Sequence, residues 1–136
     1  MRDLNKDYHK RNQIIFGDDN VDGDNWLGGT RFFSKLSLEQ LEELVDNNFI
    51  DLQDAQNCSP TVEEFLEFMK EHAEFTAHGY AVSHNRDDYR ASLEGIEFKG
   101  KVSKNLMKDF IDLCRHADEI VCEDNKLFAW WDWSAP

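Results

Sequence analysis

The chain has 136 residues and a mass of 16.0 kDa, enough for one ordinary domain with a single modest core. With 40% hydrophobic residues, 10 Phe and 4 Trp, global disorder is excluded. A formal charge of −13 argues against direct binding to nucleic acid or to an anionic membrane, both of which require basic surface.

Residues 1–30 show no sustained period and contain a dense Asp/Asn/Gly cluster, so the expectation there is a loop or partly ordered amino-terminal arm. Residues 31–136 are expected to form a single α+β domain. The first helix is marked by Ser37 as N-cap and Gln40 three positions on, a capping box. Leu38, Leu41, Leu44, Val45 and Phe49 follow at helical spacing, and Asn47-Asn48 suit its end. A second helix is predicted from Ser59-Pro60, with Val62, Phe65, Leu66, Met69 and Ala73 as its apolar stripe. The period then changes to two: residues 75–82 and 89–98 read as a hairpin around the turn at 83–88, with Gly95 marking a bulge. Ser103 caps a third helix carrying Leu106, Met107, Phe110, Ile111 and Cys114. Residues 119–122 and 127–131 form a second hairpin. The order α-α-β-β-α-β-β predicts a mostly antiparallel sheet of about four strands with helices on one face.

The negative charge is uneven. Residues 12–74 hold 15 acidic and three basic side chains, whereas residues 1–11 are net positive. In the first helix Glu39, Glu42, Glu43 and Asp46 fall opposite the apolar stripe, and in the second Glu63, Glu64 and Glu67 do so. With Asp18, Asp19, Asp22 and Asp24, they make a candidate acidic surface for a basic protein partner. Such carboxylates, held on rigid helices, can stand in for phosphates before Arg and Lys. The simpler reading of the same charge is solubility.

Other motifs are weaker. Residues 18–24 match the opening of a calcium loop, with oxygen ligands at Asp18, Asn20 and Asp22 and then Gly23. However, the twelfth position is Gly29 where a bidentate Glu is needed, so an acidic surface loop is the better reading. Cys114, His116 and Cys122 have no zinc spacing. The three irregularly placed Cys and an opening without an apolar stretch imply reduced thiols in a cytoplasmic protein. No metal or cofactor is expected, and no catalytic residue is assigned, although a pocket beside the sheet near His78, Tyr80, Arg90 and Trp130 would make a small enzyme or ligand-binding protein. Trp130, Trp131 and Trp133 form a candidate aromatic interface, and through it a homo-oligomer is a third reading.

The stretch Ala117-Asp118-Glu119-Ile120-Val121-Cys122-Glu123-Asp124-Asn125-Lys126-Leu127-Phe128-Ala129-Trp130-Trp131-Asp132 resembles the tail of small acidic proteins carried by phages and conjugative elements of gut bacteria. The helix from Ser37 to Phe49 and the strand His78-Gly79-Tyr80-Ala81-Val82 are similar too. The resemblance implies a mobile-element setting, in which small acidic proteins include anti-CRISPR and DNA-mimic inhibitors. By analogy, it points to a non-enzymatic inhibitor that binds a basic nucleic-acid-binding protein.

Overall fold

The computed structural model describes residues 3–18 and 26–131. In chain order the elements are α1 (Tyr8–Phe16), β1 (Thr30–Leu36), α2 (Leu38–Asp46), α3 (Val62–Glu71), β2 (Thr76–Val82), β3 (Arg90–Lys99), α4 (Lys104–Cys114), β4 (Glu119–Glu123) and β5 (Lys126–Trp130). The strands form one antiparallel sheet in the order β1-β2-β3-β5-β4. The fold is α+β, with five strands among the described residues rather than about four.

All four helices lie against one face of this sheet. Phe16 of α1 meets Phe33 of β1 edge-on, with ring centroids 6.4 Å apart. Phe65 of α3 meets Trp131 at 5.6 Å, and Phe110 of α4 stacks near Phe75 at 5.8 Å. From α2, Leu41 and Leu44 are fully buried in the same core. Burial of these large apolar groups is the main stabilising term, and the edge-to-face aromatic pairs add specific geometry.

Three helix starts show how local chemistry sets the boundaries. Ser37 and Gln40 form the expected capping box at α2, and Ser103 accepts from the Leu106 amide at α4. The start of α3 is corrected: Thr61, not Ser59-Pro60, is its N-cap, and Thr61 and Glu64 form a second capping box. That box satisfies two otherwise orphaned amides, which Pro60 at a first helical position could not do. The α2 exit runs through Asn48 at φ 60°, a conformation that Asn tolerates.

The amino-terminal segment also differs from the expected loop. Asp7 caps α1 through the Lys10 amide, and Gly17, at φ 76°, closes it in the left-handed region. The buried face of α1 is polar: Arg11 is 1% exposed and Asn12 is 0% exposed. The Arg11 guanidinium donates to Val82 O at 2.8 Å, to Arg90 O at 3.2 Å and to Asn12 Oδ1, and lies over the Tyr89 ring. Burial pushes its pKa down, with Tyr89 acting the other way. Arg11 thus ties α1 to the turn end of the β2–β3 hairpin.

Both hairpins appear. In β3 the register slips so that His78 opposes Gly95 and Gly79 opposes Leu93, which leaves Glu94 as the extra residue of a bulge. The β4–β5 hairpin closes over Asp124-Asn125 and brings Glu123 opposite Lys126.

Candidate functional site

The acidic positions of α2 are one residue, three, four and seven apart along the helix: Glu39, Glu42, Glu43 and Asp46. That spacing puts them in one outward stripe while Leu41 and Leu44 face the core. Glu39, Glu43 and Asp46 are exposed and Glu42 is partly so. Among the described residues none of the four forms an ion pair or a side-chain hydrogen bond. On the neighbouring α3, Glu63, Glu64 and Glu67 are exposed as well. Their partners are weak or local: Gln53 Nε2 at 3.4 Å from Glu63, the helix cap for Glu64, and Lys70 at 3.6 Å from Glu67.

The loop carboxylates contribute differently. Asp18 is gripped by both ends of the Arg31 guanidinium, at 3.0 and 3.4 Å, and Arg31 in turn lies over the Phe16 ring. Its charge is therefore matched within the chain, which sets it apart from the α2 stripe. Asp19, Asp22 and Asp24, and with them most of the calcium-like motif, lie outside the described residues.

The aromatic positions separate by strand alternation. Leu127, Ala129 and Trp131 are buried beneath the helices, and Trp131 is fully buried. Trp131 is thus a core residue rather than part of an interface. Trp130 points to the opposite face and is partly buried, whereas Trp133 lies outside the described residues.

That opposite face carries the four residues of the pocket reading. His78 and Trp130 flank Gly95 in one cross-strand row, and Tyr80 and Arg90 lie further along. Tyr80 Oη accepts from Arg90 at 2.7 Å and from Gln56 Nε2 at 2.6 Å, so these side chains satisfy one another. Arg90 loses hydration, but its contacts with Tyr80 and Asp88 outweigh that and raise its pKa. Of the four, only Arg90 borders a cavity with Ser59, Pro60 and Phe65; it is about 80 Å³, room for a few waters and far below the roughly 300 Å³ of a typical ligand pocket.

A feature the sequence did not reveal is a second acidic site. Asp3, Asp51, Asp54, Asp87 and Asp88 come together from three distant segments around a cleft of about 360 Å³, with Lys6, Tyr89 and Arg90. Asp88 is matched by Arg86 at 2.8 Å and Arg90 at 3.1 Å. Despite some desolvation, hydrogen bonds from Arg90 and then Arg86 hold its carboxyl below the ordinary aspartate range. No sequence spacing links these positions; only the closure of the N-terminal segment, the α2–α3 loop and the β2–β3 turn brings them together.

The remaining candidates are dispersed. Ser83 donates to Asn85 within its own turn, and the ring of His84 stacks on Tyr8 with centroids 3.9 Å apart. Cys114 is buried, and burial, followed by the nearby Cys122, pushes its thiol up to about 12. Cys58 and Cys122 are exposed. Among the described residues no three or more His, Cys, Asp or Glu side chains are grouped to hold a metal ion, and no helix is long and apolar enough to cross a membrane.

No protein-family model matches this chain, and no curated protein or solved structure matches it either.

Proposed function

We propose that this chain is a non-enzymatic interaction protein whose helix layer engages a basic protein surface of the kind that grips nucleic-acid phosphates. The observation that supports this is the α2 stripe: four carboxylates, none paired with a cation among the described residues. Residues 39 to 46 span roughly 10 Å of helix axis at about 1.5 Å per residue. The four charges leave three intervals over that length, about one per 3.5 Å, against roughly one per 3.4 Å along each strand of duplex DNA. A rigid rod of comparable charge density is suited to a groove lined with Arg and Lys, whose long-range attraction to it speeds encounter.

The test is capture of basic nucleic-acid-binding proteins from nuclease-treated lysate, at low and high salt, by the wild-type chain and by a Glu39→Lys/Glu43→Lys/Asp46→Lys variant. The expected result is a partner held at low salt, released at high salt, lost by the variant and displaced by competing DNA. A captured partner indifferent to both salt and charge reversal would exclude this reading.

A further inference from the structure

The face of the sheet turned away from the helices is unlike the rest of the molecule. An antiparallel sheet can leave one face to water, and such faces normally alternate to polar residues. Here the rows instead present Phe32, which is exposed, and Tyr80, His78, Phe128 and Trp130, which are half-buried. Phe32 is 68% exposed, and its ring sits 6.2 Å from that of Tyr80. The charges in the paired rows of this face balance: Arg90, Lys99 and Lys126 against Glu97, Glu119 and Glu123. A neutral aromatic face on a chain of charge −13 is where a second copy can approach without meeting the acidic helices.

We infer that this face is a self-association surface, on which two copies pack sheet to sheet with their helix layers outward. Five strands at about 4.8 Å spacing, each with about six residues at roughly 3.3 Å, make a face of some 24 by 20 Å. Gln56 of the α2–α3 loop covers part of that face at Tyr80, so two such faces bury at most on the order of 1,000 Å², the lower bound for a specific interface. Sheets pack about 10 Å apart. Each sheet also carries a helix layer about 10 Å thick, so the two acidic ridges end up roughly 30 Å apart, several screening lengths at physiological salt. The contact is isologous and closes on itself, so it gives a dimer rather than a fibre. The partner-binding helices stay free, and the assembly is bivalent.

The test is sedimentation velocity of the full chain from micromolar to hundreds of micromolar, at low and high salt. The expected result is a reversible dimer that strengthens with salt, because screening relieves the repulsion between two acidic copies. This response is opposite in sign to that of the basic-partner contact, so the two ideas fail separately. Phe32→Glu is expected to weaken the dimer at least about tenfold with an unchanged far-UV spectrum, whereas Glu39→Lys on the helix layer leaves it intact. A monomer at every concentration and salt would overturn the inference. So would a dimer that survives Phe32→Glu but is lost on Glu39→Lys, which would move the contact to the helices.

Discussion

The imidazole of His78 lies parallel to the ring of Phe128, with centroids 5.1 Å apart and planes 8° from each other. Its Nε2 is 3.1 Å from Ala129 O. A carbonyl oxygen only accepts, so Nε2 carries a proton in this arrangement. Burial lowers the His78 pKa below the ordinary 6.5, against smaller opposing effects from the Ala129 carbonyl and Glu97.

A pH dependence follows from that direction. The unfolded chain binds a proton on His78 more readily than the folded one, so stability is fully present above about pH 6.5 and is lost as pH falls through the folded value. Urea unfolding across pH 5 to 7.5 is expected to show this loss. His78→Phe, which keeps the stack, should flatten the component that titrates near the histidine range. An unchanged pH profile in that variant would assign the dependence to other groups.

Gly95 is what lets the imidazole lie there. A Cβ at this position would sit 1.9 Å from Ala129 O and 2.6 Å from His78 Cε1. The oxygen belongs to the backbone of a paired strand and cannot move aside cheaply. Gly95→Ala is therefore expected to destabilise by about 2–3 kcal/mol, typical of overpacking in a filled site. Chemical denaturation with an unchanged m-value is the appropriate measurement.

Arg11 is buried without a carboxylate partner among the described residues, and its guanidinium makes four hydrogen bonds, to oxygens of Val82, Arg90 and Asn12. Arg11→Ala removes those donors and leaves buried acceptors unmatched, at a cost of about 3 kcal/mol. Hydrogen exchange is expected to show the change first in α1 and at the turn end of the β2–β3 hairpin. Uniform loss of protection would show that α1 is not separately held.

The acidic stripe should oppose folding. Glu43 lies four residues from Glu39 and three from Asp46, in the last turn of α2, where neither like-charged neighbours nor the helix dipole favours it. Glu43→Gln is expected to raise stability by roughly 0.5 kcal/mol while weakening capture of a basic partner. If the change stabilised the chain and left capture untouched, the stripe would be serving solubility alone.

The three thiols should react in the order set by exposure. Cys58 and Cys122 lie at the surface and Cys114 in the core, where burial holds it in the unreactive thiol form. A thiol reagent at neutral pH is expected to modify two cysteines in the native protein and the third only on unfolding.

Elements whose signal was a period or a cap were legible. Ser37 with Gln40, Ser103, and the alternation from Leu127 to Trp131 each led to the observed element, because the same side chains that set the pattern also meet the core. What was missed had no such pattern. In α1 the buried residues are Arg11, Asn12 and Ile15, so the face turned inward reads as polar and the helix as loop; only Asp7 and Gly17 at its ends gave a signal. In β1 the register slips between Phe33 and Leu36, and Lys35 adopts φ 59°, which breaks the alternation that marks a strand. The α2 stripe could be read from spacing alone, whereas the acidic cleft could not, since it exists only once residues far apart in sequence have met.

The arginine latch also bears on the order in which the chain can assemble. α1 is synthesised before β2 and β3, but the carbonyls that receive its guanidinium lie 71 and 79 residues further on. Until the turn between them has closed, that helix is a short polar segment with nowhere to dock, and isolated helices of nine residues are marginal in water. α1 is therefore among the last of these elements to settle, and the hairpin whose turn ends at Tyr89 acts as its template.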